Sequence, residues 1–240
     1  MSNKKLFIHI PKNGGMTIRR SDVLKPLIMP VNSRMFTSLQ YEKSLYSTMK
    51  KSGDHHGIEH ARWRDLKETV TNSNDAFAII RNPWSRVASR YFFALQVIQE
   101  EKKVPQSYCD VSSFESFLDE RFKWEDKSFF WHRAVRGWFP AFDHVSDQSG
   151  NHVMCDILRL EHLNDEIEIY FHLRKGSMTG ARNVTKSKKK VLYQDLYTNK
   201  TIQIVADWYK KDIDYWGFTF DSSAKRNTFF TRTEDTTHHE

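Results

Sequence analysis

A chain of 240 residues, 39% of them hydrophobic, can bury one sizeable α/β core, which excludes a disordered or fibrous protein. Its 37 lysines and arginines exceed its 30 aspartates and glutamates, a balance suited to anions: nucleic acid, an anionic membrane, a nucleotide or an acidic polysaccharide. Cys109 and Cys155, with neither CxxC nor metal-ligand spacing, exclude a disulfide framework and suit a reducing compartment, a single Cys109–Cys155 bridge staying open.

Leu6–Ile10 reads as a short buried strand ending at Pro11, with Gly14-Gly15 next and a helix over Thr17–Leu24. Residues 25–52 hold Pro26 and Pro30 and lack periodicity, with Tyr41–Lys51 a short helix candidate. Asp54–His60 is a polar, His-rich loop. Trp63, Leu66 and Val70 fall at helical spacing, which predicts a helix over Ala61–Val70. Ala76–Ile80 is the second clear strand, and its unbroken apolar run suits a central parallel position. Pro83 suits the first turn of a helix, and Val87, Tyr91, Leu95 and Ile98 mark a stripe along Trp84–Gln99.

Lys102–Ser112 is a surface linker, Phe114–Phe122 a short amphipathic helix, and Phe129–Phe139 an aromatic-rich segment suited to covering a cleft. A turn centred on Gly150 spans Asp147–Asn151; His152–Leu158 is β-prone and Leu163–Leu173 helical. Lys175–Lys190 is basic, has no apolar face and reads as a loop. Ile202, Val205, Tyr209 and Ile213 predict one long helix over Thr198–Tyr215, with Gly217 placed to end it. The alternation of strand and helix predicts α/β architecture, a mostly parallel central sheet flanked by helices, in a single domain over residues 1–220. Residues 221–240 form a polar tail expected to fray.

Two turns carry the chemistry. In Pro11-Lys12-Asn13-Gly14-Gly15-Met16-Thr17 the glycines let backbone N–H groups approach an anion, Lys12 adds a mobile ammonium and Thr17 a hydroxyl. The lysine precedes the glycines, so this is not a Walker A loop, and it is not GxGxxG. A plain tight turn is the other account of the same residues. Arg81-Asn82-Pro83-Trp84-Ser85-Arg86 follows the second strand in the same way. Arg81 suits a second phosphate, and Ser89, two helical turns on, can face the same cleft. A surface ion pair for Arg81 and a solvated helix position for Ser89 are the plainer accounts.

In this order the two motifs resemble those of the PAPS-dependent sulfotransferases, PAPS being 3′-phosphoadenosine-5′-phosphosulfate. The closer likeness is to the carbohydrate branch, the heparan 2-O and chondroitin/dermatan types. Pro11–Thr17 is similar to the 5′-phosphosulfate loop of that family and Arg81–Phe92 to its 3′-phosphate motif. Weaker likeness continues through Asp156–Leu163, Asn183–Lys188 and Tyr209–Phe218, so it spans most of residues 5–220. The resemblance implies a three-layer, P-loop-kinase-like fold, PAPS as donor, PAP (the 3′,5′-bisphosphate) as product, and no metal. It implies that Lys12 meets the bridging and sulfuryl oxygens, that Pro11, Asn13, Gly14, Gly15, Met16 and Thr17 wrap the 5′ end, and that Arg81 and Ser89 hold the 3′-phosphate. Thr185, Lys186 and Lys188 match a segment that closes over the nucleotide. Met16 departs from the pattern, standing where a small or hydroxyl residue is common.

Transfer to a hydroxyl needs a base, and histidine titrates near neutrality. Asp54-His55-His56-Gly57-Ile58-Glu59-His60 falls where the resemblance puts the base, with His56 first, His60 next and His55 third; Glu59 is an orienting group or a base itself. A solvated loop is the plainer account, and His56 with His60 at a spacing of four also fits two metal ligands. Phe129, Phe130, Trp131, Trp138 and Phe139 offer faces for sugar rings, and Arg133 and Arg136 charges for an acidic glycan; core packing equally explains the aromatics. A P-loop-like kinase and a non-enzymatic polyanion-binding module are the competing classes. The first lacks Gly-Lys-Ser/Thr, and the second leaves two phosphate-type turns unexplained. The expected partners are a nucleotide sulfate donor and a hydroxyl-bearing acceptor, a glycan, and not nucleic acid. No apolar run approaches ~20 residues and Met1–Lys5 is polar, so a soluble, cytoplasmic protein without anchor or signal peptide is expected.

Overall fold

The computed structural model describes residues 4–37, 43, 57–100, 109–123, 138–153, 155–178 and 192–225. Lys5–Ile8 forms strand β1, and helix α1 follows at Gly15–Arg20. Ile28–Pro30 forms β2, Glu68–Thr71 the short helix α2, and Ala76–Ile80 β3. Pro83–Leu95 is α3, continued by a wider turn over Gln96–Glu100, and Phe114–Lys123 is α4. Ala141–His144 is α5, Cys155–Arg159 β4 and Leu163–Tyr170 α6. Asn199–Trp208 and Lys210–Trp216 are α7 and α8.

The four strands pair in the order β2-β1-β3-β4, and every pairing is parallel. Alternation along each strand builds two cores. Leu6, Ile8, Ala76, Ala78, Ile80 and Ile157 face α3, α4, α5, α7 and α8. Phe7, Phe77, Ile79 and Leu158 face α1 and α6. Three layers result, as a sheet buried on both sides requires. Among the described residues no helix is long and apolar enough to cross a membrane.

Several boundaries differ from the sequence reading. The first strand stops at Ile8 rather than Ile10, and α1 begins two residues before Thr17 and ends at Arg20 rather than Leu24. β2 was not anticipated: it has three residues and ends in a proline, tolerable on a sheet edge because only one side needs an N–H donor. The helix expected over Ala61–Val70 is absent. Leu66 bridges Phe36 in antiparallel fashion, Thr37 N–H donates to Asp65 O at 3.0 Å, and Lys67 N–H donates to Met35 O at 2.8 Å, which pulls the chain out of helical geometry. What remains is one tight turn at Trp63–Asp65 and the four residues of α2.

The β-prone stretch expected from His152 is a strand only from Cys155, and the helix from Leu163 ends at Tyr170, three residues short of expectation. The long C-terminal helix is two, broken at Tyr209 (φ −105°, ψ 23°). Gly217 ends the second in the left-handed region, φ 70°, as its position suggested. Of the tail expected to fray, residues 226–240 lie outside the described residues, and Ala224 is buried with its carbonyl accepting from Arg159 at 3.0 Å. Apart from Lys43, the helix candidate Tyr41–Lys51 lies outside the described residues.

Candidate active site

The loop after β1 is gripped from several sides. Arg86, buried on α3, donates from Nε to Pro11 O at 3.1 Å and from Nη1 to Phe139 O at 2.8 Å. Arg81 Nη1 donates to Lys12 O at 3.1 Å. Asn13 is buried and donates from Nδ2 to Ile79 O on β3 at 2.8 Å. Lys12 holds φ 67°, a left-handed backbone uncommon for any residue but glycine, asparagine or aspartate. Its ammonium lies 4.4 Å from the centroid of the Phe93 ring on α3.

Both glycines are sterically required. Gly14 has φ 77°, and a side chain there would place Cβ 2.6 Å from Leu160 Cδ1. A Cβ on Gly15 would sit 1.9 Å from His9 Cδ2 and Nε2. The His9 ring therefore occupies the space glycine leaves, stacked on Phe7 at 5.4 Å. Burial, then Arg19 and His144, pull His9 down to about 3, so it is neutral at pH 7. Gly14 caps α1 without a side-chain hydrogen bond to the first turn. Thr17 is buried in that turn, and Met16 is half-buried beside it.

The turn after β3 lies against this loop. Half-buried Arg81 also donates from Nε to Ser85 Oγ at 2.9 Å. Its hydroxyl partner is thus Ser85; Ser89 lies one helical turn further along α3, half-buried. Burial lowers Arg81 to about 10, partly offset by Glu161, and it stays cationic at neutral pH. Asn82 N–H donates to Glu161 Oε1 at 2.8 Å, which ties in the segment after β4. Asn82 Oδ1 accepts from Ser85 N at 3.1 Å as the α3 cap, while Nδ2 donates to Thr219 O and Ser222 O at 2.9 and 2.8 Å. The carboxyl ends of β1, β3 and β4 are thereby linked.

His60 ends a tight turn at Ile58–His60. Its Nδ1 lies 2.8 Å from His9 O, so in neutral His60 this nitrogen carries the proton and Nε2 the lone pair. The two imidazoles meet at 4.2 Å between centroids. Glu59 Oε1 is 3.9 Å from His60 Nε2 and 3.7 Å from Arg19 Nη1. The structure therefore brings Lys12 to Arg81, and His60 to the base of the glycine turn through His9. His55, His56, Thr185, Lys186 and Lys188 lie outside the described residues, as do Phe129, Phe130, Trp131, Arg133 and Arg136. Trp138 is core, buried against Phe117 and under Arg90. No group of three or more potential metal ligands occurs among the described residues.

Sequence reasoning assigned no role to His9, Asn82, Arg86 or Phe93. A histidine inside an apolar strand just before the glycine turn was the available signal for His9. A parallel α/β sheet with two basic turns joined at the carboxyl ends of its strands is the architecture on which such folds place their ligands. The family model described as Sulfotransferase family matches residues 2–219, and the chain belongs to that family. Membership makes it a transferase of sulfuryl groups. No curated protein and no solved structure matches the chain.

Proposed function

We propose that the protein moves a sulfuryl group from PAPS to a hydroxyl on a carbohydrate, with Lys12 and Arg81 at the two anionic ends of the donor and histidine as base. The observation that carries this reading is the Arg81 guanidinium, which ties Lys12 O to Ser85 Oγ and so makes one site of two turns. A guanidinium has five N–H donors; these bonds use two, and three remain for the paired oxygens of a phosphate. PAPS supplies the sulfuryl group and departs as PAP. Lys12 sets positive charge beside the departing phosphate oxygen, and the residues from Asn13 to Thr17 wrap its 5′ end. Arg81 holds the 3′-phosphate, with Ser89 on α3, the helix that follows it. Thr185, Lys186 and Lys188 are proposed to close over the nucleotide.

His60 fits the base. Its Nδ1–H is anchored on His9 O, which leaves Nε2 to take the acceptor proton, and the Glu59 carboxylate steadies the imidazolium that forms. His56, first on sequence grounds, is distinguished by comparing His56→Ala with His60→Ala. The carbohydrate acceptor rests on the family branch the motifs resemble and on the excess of basic residues.

Thermal unfolding with PAP and with ADP, for wild type and Arg81→Ala, tests the donor. At a hundred times its Kd, PAP adds about 2.7 kcal/mol of stability. ADP should add little, and Arg81→Ala should lose the PAP effect. Stabilisation by ATP with magnesium but not by PAP would transfer the protein to the kinase reading.

A further inference from the structure

Lys12 reaches its position by two constraints that the motif does not contain. The left-handed backbone at φ 67° turns its side chain away from the course an ordinary strand exit would give it. At the far end the ammonium lies over the Phe93 ring, 4.4 Å from its centroid, well inside the ~6 Å at which a ring face attracts a cation. Phe93 stands on α3 four residues after Ser89, so the two share a face of that helix. Arg81 donates to the carbonyl of the same lysine. The backbone of Lys12 is thus fixed from the turn after β3 and its ammonium from the last turn of α3.

We propose that Phe93 is a positioning residue for Lys12, its ring face holding the ammonium at the donor cleft and yielding it to the phosphosulfate oxygens when the donor enters. This rests on the reading of Lys12 as the group that meets the donor. A ring face suits the task because it attracts a cation without neutralising it. A carboxylate in that place would hold lysine more strongly and compete with the donor for it. The phosphosulfate, with full negative charge, outbids the ring, and the lysine has only to leave a neutral surface.

The experiment is heteronuclear NMR of protein with 13C-labelled lysine, together with donor kinetics. As Phe142 should do for Lys211, the ring current of Phe93 should shift the ε-methylene protons of Lys12 upfield of the ordinary lysine position, to a signal of their own. That signal should vanish in Lys12→Arg, return to the ordinary position in Phe93→Leu, stay shifted in Phe93→Tyr, and return to the ordinary position when PAP is added. In turnover, Phe93→Leu should lower kcat/KM for the donor about 3- to 10-fold, while Phe93→Tyr stays within about 2-fold of wild type. An unshifted Lys12 signal in wild type, assigned through its loss in Lys12→Arg, overturns the proposal. Equal losses in Phe93→Leu and Phe93→Tyr also overturn it, since they would mark a packing role. If PAP stabilises the protein yet leaves the Lys12 signal shifted, the proposal falls and the donor reading stands. If PAP fails to stabilise it, the donor reading falls first and carries the proposal with it.

Discussion

Gly15 is fixed by its contact with His9 more than by its own backbone. In Gly15→Ala the new methyl enters the imidazole at 1.9 Å, and neither the strand nor the loop can yield far. Overpacking of this kind costs about 1–3 kcal/mol, read as a lower urea midpoint. The same clash should displace the loop and lower PAP affinity. Adding His9→Ala to Gly15→Ala should make the pair less destabilising than the sum of the two single changes, with a coupling of about 1 kcal/mol in a double-mutant cycle. The two turns were legible at this scale, because Lys12, Gly14, Gly15 and Arg81 are unusual residues at strand ends. The grip on them was not. Arg86 to Pro11 and Asn13 to Ile79 join residues 75 and 66 positions apart, and no local pattern encodes such contacts.

The helix α3 is held by one side chain at its start. Asn82 caps it and also satisfies two carbonyls of the segment after α8. Asn82→Ala removes the cap and the donor to two carbonyls that water can partly reach, so a loss of about 1–2 kcal/mol is expected in chemical denaturation. Asn82→Asp keeps the cap oxygen but loses the donors, and should fall between. Elements with a strong internal signal read correctly: β3 is a fully buried apolar run, and α3 has its proline start and stripe. Elements defined by partners did not. β2 exists because β1 offers Lys5–Phe7 as a template, and the helix expected at Ala61–Val70 is lost because Phe36 and Met35 claim Leu66 and Lys67.

For the whole molecule, buried histidines set the response to acid. Burial lowers His9 to about 3, His152 to about 4 and His144 well below the ordinary 6.5. The unfolded chain takes up these protons near pH 6.5 and the folded chain does not, so their contribution is full above pH 6.5 and is lost as pH falls towards 4. Asp212 opposes this. Burial raises it from the ordinary 3.8 to about 6, against the pull of Arg86 and two N–H donors, so it favours the fold below pH 4 and loses that contribution as pH rises to 6. Between pH 4 and 6 the buried histidines outweigh Asp212, so the fold loses stability as pH falls. Urea midpoints should therefore drop steeply below pH 6, and His152→Phe should flatten the slope by about one proton.

Lys12 sits in a backbone region where glycine or asparagine would rest with less strain. With the proposed role of Lys12 at the donor, thermal endurance and turnover pull this one position in opposite directions. A randomised library at residue 12 filtered only for survival of heating should drift towards glycine and asparagine. The same library filtered for sulfated product should return lysine, and the distance between the two outcomes measures how much stability the protein forgoes to keep an ammonium at that turn.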